Sequence, residues 1–171
     1  MDEGSARCWL FANEWGGKNG EGFQMVEVKD LAQHEGSEVT VAGWVDRVRV
    51  HGKVAFLVIR DGTGYVQGVL VKKELSEEVW DCATALTQEA SVKVTGVVRE
   101  DARSPGGFEM GLTDLELLGA SPEYPIQPKE HGVEFLLDNR HLWLRSSQQR
   151  AGLRVRAEVE QAIENGPAIR R

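Results

Sequence analysis

Hydrophobic and polar residues alternate with a period of two along five short stretches of the chain. In the first stretch, Val39, Val41 and Val45 share one face, and Gly43 falls between them on that face. Such alternation predicts β-strands, and the short runs with Gly and Asp between the stretches predict turns. The predicted strands are residues 38–49, 54–60, 65–71, 91–99 and 108–118.

Helical spacing occurs before the first strand and between the third and fourth. Residues 26–36 predict a short helix that Gly36 closes. Ser76 is suited to cap a second helix, with two glutamates in its first turn. The apolar stripe of that helix consists of Leu75, Val79, Trp80, Ala83 and Leu86.

The order of these elements is three strands, a helix and two strands, so the chain is mainly β. This order predicts an OB-fold, a five-stranded, partly open Greek-key barrel with a helix between strands three and four. A small β-sandwich is the structural competitor, but an immunoglobulin-like sandwich would need seven strands.

The two ends of the chain differ in character from this barrel, which we place at residues 25–119. Residues 1–24 lack periodicity and are glycine-rich, which predicts a disordered leader, and Met25 is an alternative start. Residues 120–146 are interpreted as a linker or hinge, with three prolines in nine residues near its beginning. Residues 142–163 are expected to be helical. Residues 147–171 are interpreted as the truncated start of another domain, with a linker and a C-terminal helix following the barrel.

Composition narrows the class of protein. The 171 residues carry a formal net charge of -7, contain two cysteines and show no long apolar run. We therefore expect a cytoplasmic protein with neither a membrane partner nor a disulfide framework. The negative charge weakly disfavours a nucleic-acid partner. However, residues 43–73 contain six Lys or Arg and two Asp, a local balance of +4, so the charge is segregated.

Three residues of the predicted strands have the chemistry that base recognition requires. Phe56 offers an aromatic face, Gln67 offers a donor and an acceptor, and Arg49 offers a cation. Each also has a plainer interpretation. A strand phenylalanine more often belongs to a core, a lone glutamine to a solvated face, and an arginine there can simply flank a turn. The spacing alone leaves both possibilities open.

The motifs of residues 43–71 closely resemble the N-terminal anticodon-binding domain of class IIb aminoacyl-tRNA synthetases. They run Gly-Trp-Val, Arg-x-Arg, Phe, Ile-Arg-Asp and Gly-x-x-Gln in that order. The stretch PKEHGVEFLLDNRHLWLRS (residues 128–146) is similar to the asparaginyl-tRNA synthetase family rather than to the aspartyl or lysyl enzymes.

This resemblance implies roles for individual residues. Phe56 matches the aromatic that stacks on the middle anticodon base, a uridine, and Gln67 matches the residue that bonds its edge. Arg49 matches an arginine that reaches the same base and the backbone, and Glu109 matches a glutamate that helps to read the first base. Possible contacts to the RNA backbone are Arg47, Lys53 and Arg60. No histidine has metal-ligand spacing or a catalytic partner, so we expect neither a metal site nor a catalytic residue.

The resemblance also implies what this chain lacks. Family members hold ATP and Mg with the second and third class II motifs, which do not occur in these 171 residues. We therefore expect no cofactor in this chain and no aminoacylation by it alone, although the family is asparagine--tRNA ligase. The family dimerises through its catalytic domain, so we expect this chain to be monomeric. The expected partner is tRNA with an asparagine-type anticodon.

Two other functional classes remain. A general single-strand binder would share the barrel, but it would place several aromatics in its groove, where Phe56 and Tyr65 are available. A protein-interaction or structural remnant would instead use the helical segment at residues 147–163 and the leader, which contains Trp9, Phe11 and Trp15.

Overall fold

A computed structural model describes residues 25–127 and 129–166 of the chain. The chain divides into two compact units, with the division between Tyr124 and Pro125. The leader predicted for residues 1–24 lies outside the described residues, and so do residues 167–171.

Five strands form the first unit, as the alternation predicted. The sheet closes on itself in the order β1-β2-β3-β5-β4, since β4 pairs with β1. All neighbours are antiparallel except β3 and β5, which are parallel. The strands are β1 (Glu38–His51), β2 (Val54–Arg60), β3 (Tyr65–Val71), β4 (Ser91–Glu100) and β5 (Phe108–Gly119). This topology confirms the mainly β, five-stranded OB-fold.

The strand β1 is two residues longer than its alternation indicated. His51 pairs with Val54, so the turn into β2 is confined to Gly52 and Lys53, and Gly52 adopts a φ of +60°. A β-bulge between Val45 and Arg47 shifts the register within β1. A bulge bends its strand and increases the local twist, which suits the closure of a small barrel.

Gly43 lies where β1 and β2 approach each other too closely for a side chain. A Cβ at this position would stand 2.5 Å from the carbonyl oxygen of Arg60. A glycine within a strand costs stability unless such an approach requires it, and here it does.

Apolar side chains of all five strands fill the interior. Their inward positions alternate along each strand, as in Ala55, Leu57 and Ile59 of β2, which are at most 1% exposed. The helix α1 (Glu77–Ala85) follows β3 and adds Trp80 to this core. Its N-cap is the predicted one, because the Ser76 hydroxyl accepts a hydrogen bond from the Val79 amide at 3.2 Å.

A 3-10 helix (Val28–His34) precedes β1, and Asp61 ties it to the turn between β2 and β3. The Asp61 carboxylate accepts hydrogen bonds from three backbone amides, those of Val28 at 2.8 Å, Thr63 at 2.6 Å and Gly64 at 2.7 Å. The Thr63 hydroxyl donates to the same carboxylate. One carboxylate therefore holds both the turn and the entry of the chain into the barrel.

The second unit consists of helices, with α2 (Val133–Asp138) and α3 (Arg140–Trp143) inside the interval interpreted as a linker. The long helix α4 (Ser147–Glu164) follows. The prediction of one helix that begins near Leu142 was wrong, because a separate helix, α4, begins after Ser146. The Ser146 hydroxyl caps α4 by accepting a hydrogen bond from the Gln149 amide at 3.4 Å. None of the described helices has the length and apolar character to cross a membrane.

Candidate nucleic-acid interface

Strands β2 and β3 have an outer face, and its side chains alternate along each strand with the side chains that point into the core. Phe56 lies between the buried Ala55 and Leu57, and Gln67 lies between the buried Val66 and Gly68. Both side chains are half-buried and point away from the interior. Phe56 is therefore a surface aromatic, and the interpretation of it as a core residue is wrong.

Strand pairing aligns five of the candidate residues in two adjacent rows on this face. Directly opposed residues on neighbouring strands share a face, with Cβ atoms about 5 Å apart. In the first row, Gln67 of β3 is opposite Glu109 of β5 and Val58 of β2, and Val58 is opposite Arg47 of β1. Met110, the residue after Glu109, is buried, so Glu109 faces outward.

The second row crosses β2 at Phe56, two residues before Val58 and therefore closer to the β1–β2 turn. Arg49 of β1 is opposite Phe56, and Phe56 is opposite Val69 of β3. Gly111 of β5 completes this row beside Val69. Arg49 and Arg47 are both exposed. An aromatic face, an amide, a carboxylate and two guanidinium groups thus share one surface patch, which we call the strand face: Arg47, Arg49, Phe56, Gln67 and Glu109.

Arg60 has a different environment from the one that an RNA-backbone contact needs. Arg60 is 8% exposed, and its Nη2 atom lies 2.8 Å from both carboxylate oxygens of Glu89. The guanidinium also lies over the ring of Trp44, 5.6 Å from its centroid. Glu89 is held at a φ of +66°, which costs conformational energy in a residue other than glycine. We therefore leave Arg60 out of the interface.

Lys53 is at the tip of the β1–β2 hairpin and is exposed. It lies beyond the second row, at the same end of the sheet as Arg49, since Val54 pairs with His51. The structure thus places Lys53 beside the strand face rather than on it.

Comparison with known proteins agrees with the fold and with the motifs. A family model described as an OB-fold nucleic acid binding domain, of the tRNA anti-codon type, matches residues 39–118. Asparagine--tRNA ligase from Desulforamulus reducens is 52% identical over 135 residues, which are 79% of this chain and 31% of that protein. The same ligase from Chloroflexus aurantiacus is 53% identical over 132 residues, 77% of this chain and 30% of that protein.

The three-dimensional fold of the chain is also similar to that of a solved asparaginyl-tRNA synthetase structure. Asparaginyl-tRNA synthetase from Pyrococcus horikoshii, complexed with asparaginyl-adenylate, superposes with a TM-score of 0.71 at 37% identity. The match covers 82% of this chain and 34% of that structure. This chain carries the anticodon-binding OB domain of the asparaginyl-tRNA synthetase family. It spans about 30% of the length of the curated relatives that it matches.

Two side chains of this asparaginyl-type OB domain join the strand face without having been predicted from the sequence. Arg99 of β4 is exposed and lies directly opposite Glu109. Ser104, in the loop between β4 and β5, accepts a hydrogen bond from the Gln67 side-chain amide at 3.3 Å. Pairing between β4 and β5 brings in Arg99, and loop conformation brings in Ser104. Neither arrangement leaves a local pattern in the sequence.

The electrostatics of the domain favour an anionic ligand on the strand face. No Asp or Glu occurs in residues 47–60 or 65–73, although the chain carries -7 overall. Glu109 is the acid that strand pairing adds, and Arg99 lies beside it. In residues 25–127 and 129–166, no group of three or more His, Cys, Asp or Glu side chains could hold a metal ion.

Proposed function

We propose that this OB domain recognises the anticodon of an asparagine tRNA on the strand face. The observation that carries the proposal is the strand register, which brings Arg49 and Phe56 into one row and Gln67 and Glu109 into the next. Residues that are up to 60 positions apart in the sequence thereby form one patch with the chemistry that base recognition needs. Similarity to asparagine--tRNA ligases supports tRNA as the partner.

Each side chain has a distinct task in this proposal. The Phe56 ring offers a π face on which the middle anticodon base stacks, and base–aromatic stacking contributes about 1–3 kcal/mol. The amide of Gln67 can both donate to and accept from the edge of that base, as uridine requires. Ser104 holds the amide nitrogen of Gln67, which limits the orientations that the side chain adopts.

Charged groups flank these two residues. Arg49 and Arg47 are exposed beside the stacked base, where their guanidinium groups can pair with RNA phosphates. Glu109 accepts hydrogen bonds only, so it suits a base edge that presents donors, such as the N1 and N2 groups of guanine. This supports a role for Glu109 at the first anticodon base.

The decisive experiment compares two RNAs. The 171-residue chain is titrated with an anticodon stem-loop of an asparagine tRNA and with the same stem-loop carrying a changed middle base. We expect weaker binding of the changed RNA in the wild type. We expect Gln67→Ala to remove most of this discrimination, by about 1–3 kcal/mol, because the base edge then has no partner.

Two results would contradict the proposal: equal affinity of the wild type for both RNAs, or discrimination that survives in Gln67→Ala. Thr113→Ala, on β5 but outside the five residues of the strand face, serves as the matched control for loss of a polar strand side chain. The Thr113 hydroxyl donates a hydrogen bond to the Glu38 carboxylate of β1 at 2.8 Å.

The proposal concerns recognition, not catalysis. ATP, Mg and asparagine are assigned by the resemblance to motifs absent from these 171 residues. The same resemblance supports a cytoplasmic monomer as the proposed state, with dimerisation assigned to the catalytic domain. A sedimentation mass near 18.9 kDa is expected for the monomer.

A further inference from the structure

The tip of the β1–β2 hairpin and the end of β3 meet beyond the second row of the strand face. His51 is opposite Val54, and Val54 is opposite Val71. The Lys72 amide donates a hydrogen bond to the Lys53 carbonyl at 2.9 Å. This contact fixes the backbone at Lys72 against the backbone at Lys53, although the two residues are 19 positions apart in the sequence.

Four residues with basic side chains, three lysines and a histidine, are concentrated at this junction. His51, Lys53, Lys72 and Lys73 are all exposed. The Lys72 ammonium lies over the ring of Trp80, 5.7 Å from its centroid, and so is already engaged. Within the described part of the chain, neither Lys53 nor Lys73 has an ion-pair partner.

Two other lysines of the first unit differ from Lys53 and Lys73 because each forms an ion pair with a glutamate. Lys29 pairs with Glu27, and Lys93 pairs with Glu116. The acid nearest to Lys73 in sequence is Glu74, which follows it, and neither β2 nor β3 contains an acid. Unpaired cations on a strand edge next to an RNA-binding face are suited to the charge of a polyphosphate chain.

This junction lies close to the proposed binding site for the middle anticodon base. Val54 is two residues from Phe56 on the same outer face, a step of roughly 7 Å. A nucleotide that follows the stacked base toward the hairpin therefore brings its phosphate to the lysines. The outward side chains of this region, Val54 and Val71, offer no hydrogen bond to a base edge, so the contact is to the backbone.

We infer that His51, Lys53 and Lys73 form a phosphate-binding patch, the hairpin-tip patch, for the RNA backbone that flanks the anticodon bases. The inference rests on the proposed function and extends the RNA site beyond the three anticodon bases. Lysine is a point charge without fixed geometry, so the patch adds affinity without reading sequence.

The test is the salt dependence of binding by the double variant Lys53→Gln/Lys73→Gln in the full chain. Each lost phosphate contact makes the log–log slope of affinity against salt less steep by about 0.7 for a single strand. Between 50 and 200 mM salt, the affinity of the wild type should therefore fall about sevenfold more than that of the variant. The ratio of affinities for the two stem-loops should stay unchanged.

The matched control is Lys29→Gln/Lys93→Gln, which changes the net charge equally but removes lysines that pair with acids away from the strand face. The inference is overturned if the tip variant keeps the wild-type slope, if the control shifts the slope as much, or if the tip variant changes base discrimination. Absence of discrimination in the wild type would instead overturn the proposed function, and the slope comparison would still decide the patch. Circular dichroism of both variants verifies that they fold.

Discussion

At the scale of single residues, position relative to the sheet decides which side chains can serve recognition. Phe56 and Leu57 are neighbours in sequence, yet Leu57 is fully buried while Phe56 is on the outer face. Arg60 is on the same face as Phe56, but Glu89 and Trp44 occupy its guanidinium. A basic residue on a strand of the proposed RNA interface is therefore not necessarily available to RNA.

Phe56→Ala should separate binding from folding. We expect a loss of about 1–3 kcal/mol in affinity for the cognate stem-loop because the stacking surface disappears. The free energy of unfolding should change by about 1 kcal/mol or less, since the ring is on the outer face. Urea denaturation and RNA titration of one preparation measure both quantities.

The neighbouring core residue is the comparison. Leu57→Ala should lower the unfolding free energy by about 2–5 kcal/mol, because it leaves a cavity inside the barrel. A Phe56→Ala variant that unfolds as readily as Leu57→Ala, with unchanged RNA affinity in its folded fraction, would show that Phe56 is structural.

At the scale of elements, connections between strands hold the barrel as much as the strands do. Asp61 joins the turn between β2 and β3 to the 3-10 helix at the entrance of the domain. Burial raises the pKa of the Asp61 carboxyl, but hydrogen bonds from Val28, Gly64 and Thr63 outweigh this and hold the pKa below its ordinary value of 3.8. The folded state therefore favours the ionised form.

Asp61→Asn should destabilise the domain by about 2 kcal/mol at neutral pH. The asparagine keeps one acceptor oxygen, but its amide group cannot accept the second set of hydrogen bonds, and the charge is lost. A depressed pKa stabilises the fold above the unfolded value and loses this contribution as pH falls through the folded value. The difference between wild type and variant should thus shrink below about pH 4.

Chemical denaturation between pH 2.5 and pH 7 measures this difference. Asp114→Asn is the control, because Asp114 is an exposed carboxylate whose contact is to its neighbouring Leu115 amide. A gap between wild type and Asp61→Asn that is constant across the pH range would contradict the assigned role.

At the scale of the whole molecule, charge and burial are unevenly distributed. The chain has a net charge of -7, yet residues 47–60 and 65–73 contain Lys and Arg but no Asp or Glu. Buried apolar residues also concentrate: the core extends from Leu31 to Leu115, within the first unit. The helices α2 to α4 of the second unit contain no buried residue among those described.

The first unit should consequently fold by itself. We expect a chain of residues 25–124 to unfold cooperatively with a melting temperature within a few degrees of the full chain, because it retains the entire core. Thermal unfolding monitored by circular dichroism compares the two. Loss of cooperativity in the shorter chain would show that residues outside 25–124 are needed for the barrel.

Much of the fold follows from short-range patterns. The bounds of β2 and β3 and the cap at Ser76 agree with the sequence, because side-chain alternation and capping depend on neighbours only. The extension of β1 to His51 and the restart of α4 at Ser146 do not appear in hydrophobic periodicity. The first depends on pairing across the hairpin and the second on a local hydrogen bond that competes with helix continuation.

The sequence by itself determined the strands and the family motifs, since these are properties of consecutive residues. The outward direction of Phe56 and Gln67 was decided by the structure, because alternation alone does not say which face of a strand meets the core. Tertiary structure alone decided that Glu109 and Arg99 lie beside Gln67, that Arg60 is occupied by Glu89, and that Lys53 meets the end of β3. These outcomes depend on register between strands distant in sequence, and a shift of one residue would reverse every face.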